Sequence, residues 1–351
     1  MIALYLTSTG EAAGKSALCA ALGSDFKAEG RRVGFFKPVA IPPEKAVSDA
    51  VDKDTEFIKQ LLSLQEPVEL LCPVLLSATD FTASANEREP AWLKKVGEAY
   101  AKVSQGKDVV LIEGVSGFKA GSAQALAASR TLEALDARAI LIISYHQGLE
   151  ANQIVSAART LAGRLLGLII NAVPQRRLES VKANLVPSLE KSGIKVMGVL
   201  PEDRVLLTVS VSELAQHLGG TILNSPEHSG KLVESVMVGA MSPDPAVSYL
   251  SLKQNKAVIT RGDRPDIQLA ALVTSTSCLI LTGNMTPLPN VLNRALEVKV
   301  PIVSVKEDTM RTLEALEGVL DIAKFSHIKK VERLGQLLEQ HLDLEPLYQL
   351  V

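Results

Sequence analysis

The sequence is short of the features that mark several protein classes. Its three cysteines, Cys19, Cys72 and Cys278, are widely spaced and form no Cys-x-x-Cys or Cys/His cluster, which predicts reduced thiols and no zinc site. The 37 basic and 39 acidic residues leave a net charge of -2, without the positive field that nucleic-acid binding requires. No segment approaches the roughly 20 apolar residues of a membrane span. No basic stretch precedes the first apolar run, so we expect a cytoplasmic protein without a membrane partner.

The sequence has enough apolar content for a globular protein of more than one domain. Hydrophobic residues make up 47% of the chain and charged residues 22%, which excludes the disordered and low-complexity classes. At about 150 residues per domain, the 351 residues predict two domains.

The first part of the chain has the pattern of an α/β fold. Through about residue 205, short apolar runs alternate with longer segments of helical period, which predicts a parallel sheet covered by helices. The predicted strands are residues 2–6, 33–36, 109–112, 139–143, 166–170 and 196–200. The predicted helices between them are residues 16–28, 55–64, 91–103, 123–135, 152–165 and 178–192.

The pattern changes after residue 205, and we divide the chain there into domains of residues 1–205 and 206–351. The second domain is predicted to be a smaller α/β unit that ends in a helical tail at about 328–341. It has a short predicted helix at 211–218 and predicted strands at 233–238, 257–260, 278–281 and 302–305.

The strongest chemical signal lies between the first predicted strand and helix, in Thr7-Ser8-Thr9-Gly10-Glu11-Ala12-Ala13-Gly14-Lys15-Ser16. Such a loop points backbone N–H groups at phosphate oxygens, its lysine reaches the terminal phosphates, and its serine can ligate magnesium. The usual pattern places its first glycine where this chain has Thr9, so the loop is a variant; an ordinary strand-to-helix turn is the alternative. The predicted nucleotide-binding residues here are Thr9, Gly10, Ala13, Gly14, Lys15, Ser16 and Ala17.

Polar residues also follow three later predicted strands, at the edge where such sheets bind ligands. Lys37 can hold an anionic substrate or a transferred phosphoryl group, with a solvated strand-end lysine as the alternative. Glu113 can ligate magnesium or orient water, or it is a simple strand-end charge. Asn171 can read a purine edge through its amide, or it is an ordinary turn residue. Asp54 is by default a helix N-cap.

Together these residues resemble the dethiobiotin synthetase-like P-loop proteins, and especially the amino-terminal region of long phosphotransacetylases. The resemblance covers residues 1–205 and rests on Gly14-Lys15-Ser16, Gly34-Phe35-Phe36-Lys37-Pro38-Val39, Asp54, Ile112-Glu113-Gly114-Val115-Ser116-Gly117, Asn171 and Gly198-Val199-Leu200-Pro201.

The resemblance implies ATP and Mg²⁺ as cofactors and gives each candidate residue a role. Ser16, Asp54 and Glu113 would surround the metal. Lys15 and Lys37 would face the phosphates and substrate as the candidate catalytic residues, and Asn171 would contact adenine.

The chain also departs from dethiobiotin synthetases. It has Ala40-Ile41-Pro42 where they carry a serine or threonine, and no Ser-Pro-His-type substrate segment near residues 75–85. Ala12 stands where an acidic residue is usual, with Glu11 one position away. These departures argue against dethiobiotin synthesis but not against nucleotide binding.

From about residue 208 the chain resembles the DRTGG domain, a companion of phosphotransacetylases, although the name-giving string is absent. The likeness lies in Val236-Met237-Val238-Gly239-Ala240-Met241, Gly262-Asp263-Arg264-Pro265-Asp266-Ile267, Leu281-Thr282-Gly283-Asn284 and Asp308-Thr309. Asp263 and Arg264 can bind an anion or pair with each other, and helix capping by Asp263 is the ordinary alternative. The resemblance implies a regulatory module with a small-molecule ligand. Nothing in the chain resembles the transacetylase catalytic domain, so acetyl transfer to coenzyme A is not expected.

Two functions fit these features. We expect a Mg-ATP-binding switch that senses a nucleotide or metabolite in acetyl or acyl phosphate metabolism. The alternative is an ATP-dependent ligase that activates a carboxylate or carbamate, with Lys37 stabilising charge on the transferred phosphoryl group. Relatives of the first domain pair across their nucleotide face, so a homodimer is also expected.

Overall fold

A computed structural model describes residues 1–41, 52–85, 87, 90–161, 163–317, 325 and 327–351. The chain forms two compact units. The first comprises Met1–Glu202 together with Ile328–Val351, and the second comprises Asp203–His327. Among the residues described, no helix combines the length and apolar character that crossing a membrane requires.

The first unit is a layered α/β structure. Up to residue 202 its strands are β1 (Ile2–Ser8), β2 (Val33–Phe36), β3 (Val39–Ala40), β4 (Val74–Leu75), β5 (Val109–Glu113), β6 (Arg138–Ser144), β7 (Leu165–Val173) and β8 (Val196–Pro201). Its helices there are α1 (Lys15–Ala28), α2 (Lys53–Leu62), α3 (Val68–Leu71), α4 (Ala78–Ala85), α5 (Ala91–Val103), α6 (Ala123–Ala134), α7 (Ala151–Thr160), α8 (Gln175–Ser180) and α9 (Val186–Lys191), with a π-helical turn at Val181–Leu185.

Six strands form one parallel sheet in the order β2-β5-β1-β6-β7-β8, and β3 pairs separately with β4. Parallel strands covered on both faces read as unbroken apolar runs, and every residue of β5 is buried. The predicted α/β class and its six parallel strands are therefore confirmed. The β3–β4 pair was not predicted, because strands of two residues are too short to show a periodic pattern.

Two helix boundaries differ from the prediction. The helix expected at 152–165 ends at Thr160, because the chain turns through Gly163 (φ 83°) into β7. The helix expected at 178–192 begins three residues earlier, after Pro174, and the π-helical turn interrupts it.

The connections of the central strands determine where this sheet can bind a ligand. The chain leaves β1 through α1 toward β2 on one side, whereas it leaves β6 through α7 toward the adjacent β7 on the other. The carboxyl ends of the neighbouring strands β1 and β6 therefore border a crevice, and open α/β sheets bind ligands at such a point.

The second unit is the smaller α/β structure that the sequence predicted. Its strands are β9 (Val209–Ser210), β10 (Thr221–Ile222), β11 (Leu232–Val233), β12 (Ser235–Val238), β13 (Lys256–Arg261), β14 (Thr276–Thr282) and β15 (Ile302–Ser304). Its helices are α10 (Val211–His217), α11 (Pro243–Leu250), α12 (Pro265–Leu272), α13 (Pro289–Glu297) and α14 (Thr309–Leu316), with a 3₁₀ turn at Pro226–His228. The main sheet has the order β10-β15-β14-β13-β12, and only its edge strand β10 is antiparallel.

Alternating strand residues build two cores on this sheet. Leu279 and Leu281 face one core, to which α11, α12 and α13 contribute. Cys278 and Ile280 face the other, to which α10 and α14 contribute. Helix α13, which follows β14, and helix α14, which follows β15, therefore cover opposite faces of the sheet.

The helical tail corrects the division at residue 205, which assigned all of 206–351 to the second domain. The tail forms α15 (Ile328–His341) and α16 (Glu345–Tyr348), and both belong to the first unit. Val331, Leu334 and Leu338 of α15 are buried, so the apolar face that predicted the helix packs in the first unit's interior.

Close contacts attach the end of the tail to the first unit. The backbone N–H of Asp343 donates to the carbonyl of Met197 in β8 (2.8 Å). Gly198 pairs with Leu342, and a side chain at Gly198 would collide with the carbonyl of His341. The Phe26 and Tyr348 rings meet edge to face with centroids 5.6 Å apart.

Because α15 packs in the first unit, a substitution in its buried face should lower the stability of that unit. Leu338→Ala removes a buried side chain and should lower the free energy of unfolding by about 2–5 kcal/mol. Urea unfolding followed by the fluorescence of Trp92 measures it, because this single tryptophan lies in the first unit.

Gln340→Ala is the matched control, since Gln340 is exposed on the same helix. A Leu338→Ala protein whose Trp92 transition does not move would contradict the docking of α15 on the first unit.

Candidate functional site

The phosphate loop turns sharply between β1 and α1. Ala12 (φ 49°) and Gly14 (φ 89°) both adopt left-handed backbone, and Gly14 is the N-cap of α1 without a side-chain hydrogen bond to the helix. The first N–H groups of a helix lack intrahelical acceptors and carry the positive end of its dipole. The loop therefore presents an uncapped helix start to an anion.

Lys15 is buried in this loop among hydroxyl groups. Its Nζ donates to Ser116 Oγ and to Ser8 Oγ, the latter at 3.4 Å, and Ser8 Oγ in turn donates to the Gly10 carbonyl (2.7 Å). Burial lowers the pKa of Lys15, and the nearby Glu113 carboxylate partly opposes that shift. No carboxylate forms an ion pair with the amine in the described part of the chain, which leaves its charge for a ligand.

Ser16, Asp54 and Glu113, the predicted metal ligands, come together. Ser16 Oγ lies 2.9 Å from Glu113 Oε1 and 3.2 Å from Asp54 Oδ2. Two carboxylates around one hydroxyl form a set of oxygen donors of the kind that Mg²⁺ prefers. The described residues contain no group of three or more His, Cys, Asp or Glu side chains that could hold a metal ion, so this donor set depends on the serine hydroxyl as well as the two carboxylates.

Asp54 is free to reach Ser16 because it does not cap its helix. The expectation of an N-cap at Asp54 was wrong: Asp52 is the N-cap of α2 and accepts from the Asp54 N–H (3.2 Å). The two aspartates stand two positions apart at one helix start, and sequence alone does not distinguish which of them caps it.

Glu113 carries the clearest sign of a missing partner. It is only 4% exposed at the end of β5, and its Oε2 has no hydrogen-bond partner among the residues described. Burial raises the pKa of Glu113, while Lys37 and Lys15 oppose the shift. A buried carboxylate oxygen without a partner is costly and indicates an ion or water. The residues present thus fit a divalent cation at this point.

Lys37 does not extend freely toward a substrate. Its Nζ contacts Asp52 and lies 3.4 Å from Glu113 Oε1, and its side chain is largely buried. Burial alone would lower the pKa of Lys37, but the Glu113 and Asp52 carboxylates outweigh burial and raise it above its ordinary value. The amine is a charged partner of the two acids.

Asn171 supports the phosphate loop. Its Nδ2 donates to the Ala13 carbonyl (3.0 Å), and its Oδ1 accepts from the N–H of Ala172, a residue in left-handed conformation (φ 58°). A Cβ at Gly14 would stand 2.8 Å from Asn171 Nδ2, so glycine lets this amide approach. The side chain therefore connects the end of β7 to the loop.

A cleft of about 730 Å³ opens beside the loop at the crevice between β1 and β6. Thr9 and Gly10 line one side, and Ser144 and His146 line the other. The other predicted binding residues stand behind this edge: Ala13 is buried, and Ala17 lies in the first turn of α1.

Sequence reasoning gave no role to Ser8, Asp52 or Ser116. Ser116 stands in the motif after β5 that carried the family resemblance, and Ser8 stands inside the loop motif, so both positions had a signal. Asp52 had none, because its pairing with Lys37 depends on where α2 begins.

The sequence matches the AAA domain family over residues 3–209. The chain belongs to this family. A DRTGG domain matches residues 213–319. The P-loop part is of the dethiobiotin synthetase-like kind, so the resemblance drawn from the motifs, including that to the amino-terminal region of phosphotransacetylases, is confirmed.

The chain is similar to a phosphate acetyltransferase and, over part of its length, to two solved structures. The phosphate acetyltransferase of Nitratidesulfovibrio vulgaris (strain Hildenborough) is 27% identical over 361 residues, which cover 97% of this chain and 50% of that protein.

Two solved structures are similar in fold. Cobyrinic acid a,c-diamide synthase from Mycobacterium smegmatis, solved with ADP and magnesium, is 17% identical with a TM-score of 0.38, and the match covers 58% of this chain and 88% of that structure. The CBS and DRTGG domains of the regulatory region of Clostridium perfringens pyrophosphatase, solved with diadenosine tetraphosphate, are 15% identical with a TM-score of 0.30. The match covers 42% of this chain and 72% of that structure. The chain spans about half the length of the curated relatives it matches.

Gly14→Ala should distort the phosphate loop. The substitution puts a Cβ on left-handed backbone and against Asn171, so the free energy of unfolding should fall by at least about 1–2 kcal/mol. Urea titration followed by Trp92 fluorescence measures the change.

Gly10→Ala is the matched control in the same loop, since a Cβ there meets nothing within 4 Å. Equal stability of the Gly14→Ala and Gly10→Ala proteins would show that the loop tolerates a side chain at Gly14 and that its geometry is not as described.

Proposed function

We propose that the first unit binds ATP together with Mg²⁺ and that the second unit senses a small ligand. In this proposal the chain is a regulator of acetyl or acyl phosphate metabolism. The observation that carries the nucleotide-binding part is the convergence of Lys15, Ser16, Asp54 and Glu113 at the carboxyl edge of the sheet, with Glu113 Oε2 unpartnered among the described residues.

The phosphate loop supports a polyphosphate ligand. The uncapped start of α1 and the buried amine of Lys15 place positive potential on the same small volume. Because Lys15 is held by hydroxyls, phosphate oxygens can replace Ser8 and Ser116 as its acceptors without breaking an ion pair. Charge-assisted hydrogen bonds to phosphate are stronger than bonds to neutral hydroxyls.

The acidic group around Ser16 supports the metal. Ser16, Asp54 and Glu113 would hold Mg²⁺, which would neutralise phosphate charge at this edge. Without a cation, Asp54 and Glu113 repel each other across one hydroxyl, and Glu113 lacks a partner for Oε2. Metal and nucleotide should therefore bind cooperatively.

The position of Lys37 favours a regulator over a ligase. A ligase of the alternative type needs this amine at the transferred phosphoryl group, whereas here Lys37 contacts Asp52 and Glu113. The substrate-side positions that depart from dethiobiotin synthetases, such as Ala12, support the same choice.

Two further expectations stay predictions. Adenine contact by Asn171 requires its amide to serve a base while it holds Ala13, or to exchange one partner for the other. The pairing of two copies into a homodimer follows from the behaviour expected of relatives of the first unit.

Lys15→Ala should weaken ATP binding in the presence of Mg²⁺ by about a hundredfold or more, because charge-assisted hydrogen bonds to the phosphates are lost. Glu113→Gln should leave metal-free binding in place but remove its enhancement by Mg²⁺. Isothermal titration calorimetry with and without Mg²⁺ measures both effects.

Lys94→Ala, an exposed lysine on α5, is the control and should bind ATP like the parent chain. Unchanged ATP affinity in Lys15→Ala would reject the phosphate-loop assignment, and equal Mg²⁺ enhancement in Glu113→Gln would reject the metal site.

Turnover separates the regulator from the ligase. We expect phosphate release from Mg-ATP to stay near background when small carboxylates and amines are added one at a time, since Lys37 is engaged by acids. Strong stimulation by one of these compounds, abolished by Lys37→Ala, would establish the ligase instead.

A further inference from the structure

The second unit has its own crevice at the carboxyl edge of its sheet. Because α13 follows β14 on one face and α14 follows β15 on the other, the two connections diverge between these neighbouring strands. Open α/β sheets bind ligands outside the carboxyl ends of their strands. A cleft of about 390 Å³ lies there, lined among others by Arg261, Thr282, Met285, Asp308, Thr309 and Met310.

Backbone contacts hold the walls of this cleft in place. After β14 the chain turns through Gly283 (φ 82°) and Asn284 (φ 54°). The Gly283 N–H donates to the Glu307 carbonyl (2.9 Å), and the Asn284 N–H donates to the Val305 carbonyl (2.8 Å). These bonds join the loop after β14 to the loop after β15, so the cleft is already formed.

Glycine also fixes one wall. A Cβ at Gly262 would collide with Met285, so the absence of a side chain lets Met285 pack directly on the loop after β13. Met285 and Met310 are 39% and 65% exposed, yet both line this one cleft. Thioether side chains make favourable contacts with aromatic rings, so the two methionines suit a flat ring.

The polar side chains of the cleft keep hydrogen-bonding atoms that the described protein does not use. Asp308 caps α14 by accepting the Arg311 N–H at Oδ1 (2.9 Å), and its Oδ2 has no partner in the described chain. The hydroxyls of Thr282 and Thr309 lie 3.0 Å apart, so one donates to the other and the accepting hydroxyl keeps its own proton for a ligand. A carboxylate beside hydroxyls at a strand end is suited to the diol of a ribose.

Arg261 stands at the rim of the cleft, where Asp263 offsets its charge and leaves hydrogen-bond donors at Nη1. Of the alternatives given for Asp263 and Arg264, the structure shows neither their mutual pairing nor helix capping by Asp263. Arg261 binds Asp263 through Nε (3.0 Å) and Nη2 (2.6 Å), while Arg264 is the N-cap position of α12 and pairs with Asp266. The Nη1 group of Arg261 keeps its donors, and guanidinium groups bind phosphate well.

We propose that this cleft binds a nucleoside monophosphate. The base packs between Met285 and Met310, the sugar hydroxyls bind Asp308 and the threonine pair, and the phosphate binds Arg261. The volume of about 390 Å³ matches a ligand of this size and is near the lower end of small-molecule sites. The inference rests on the sensing role proposed for the second unit and gives that role a site and a ligand class.

The test uses the full chain carrying Lys15→Ala, in which the proposed site of the first unit is disabled, and titrates AMP, adenosine and ribose 5-phosphate by calorimetry. We expect one AMP per chain. Arg261→Gln should weaken AMP about tenfold or more and leave adenosine almost unchanged, because it removes only the phosphate contact. Asp308→Asn should weaken both ligands while keeping the helix cap, since asparagine caps equally well.

Met310→Ala tests the base contact and should weaken AMP and adenosine but not ribose 5-phosphate. Arg294→Gln is the control, because this arginine of the same unit pairs with Glu297 and does not line the cleft. Circular dichroism during heating shows that each variant is folded.

Absence of AMP binding at millimolar concentration would overturn the proposal, as would AMP affinity that neither Arg261→Gln nor Asp308→Asn changes. Failure of the first unit's site has a different result: the parent chain would then fail to bind ATP, whatever happens with AMP. ATP binding that depends on Lys15, together with no AMP binding, rejects the second site alone.

Discussion

The buried carboxylate of Glu113 constrains everything around it at the carboxyl edge of the first sheet. Strand β5 places this charge in a buried position, and its two oxygens have different surroundings. Oε1 is shared by Ser16 and Lys37, whereas Oε2 has no partner among the residues described. One oxygen is used by the protein's own contacts, and the other remains for a ligand.

The two lysines near Glu113 respond to its charge in different ways. Lys15 lies close enough to Glu113 for its pKa to respond to that charge, but its hydrogen bonds go to serines. Lys37 is instead tied directly to acids. Of two lysines that motif reasoning treated as equivalent catalytic candidates, one is available to a phosphate and the other stabilises carboxylates.

Features with a repeated or local signal could be predicted from the sequence. The strands of the first sheet are unbroken apolar runs, and α15 has the predicted bounds because its apolar residues recur at helical spacing. The family resemblance implied that Asp54 and Glu113 meet at Ser16, whereas the residues around Asp54 alone predicted only a helix N-cap. The docking of α15 could not, since the elements that it contacts, α1 and β8, lie far earlier in the chain and leave no sequence signal near Ile328. The engagement of Lys37 by Asp52 depends on a helix boundary, which sequence patterns locate only to within a few residues.

The return of the tail makes the second unit an insertion. The chain leaves the first unit after Glu202 and re-enters it at Ile328, so two covalent connections join the units. A fragment cut near residue 205 would lose α15 and expose the apolar surface that Leu334 and Leu338 cover, which favours aggregation.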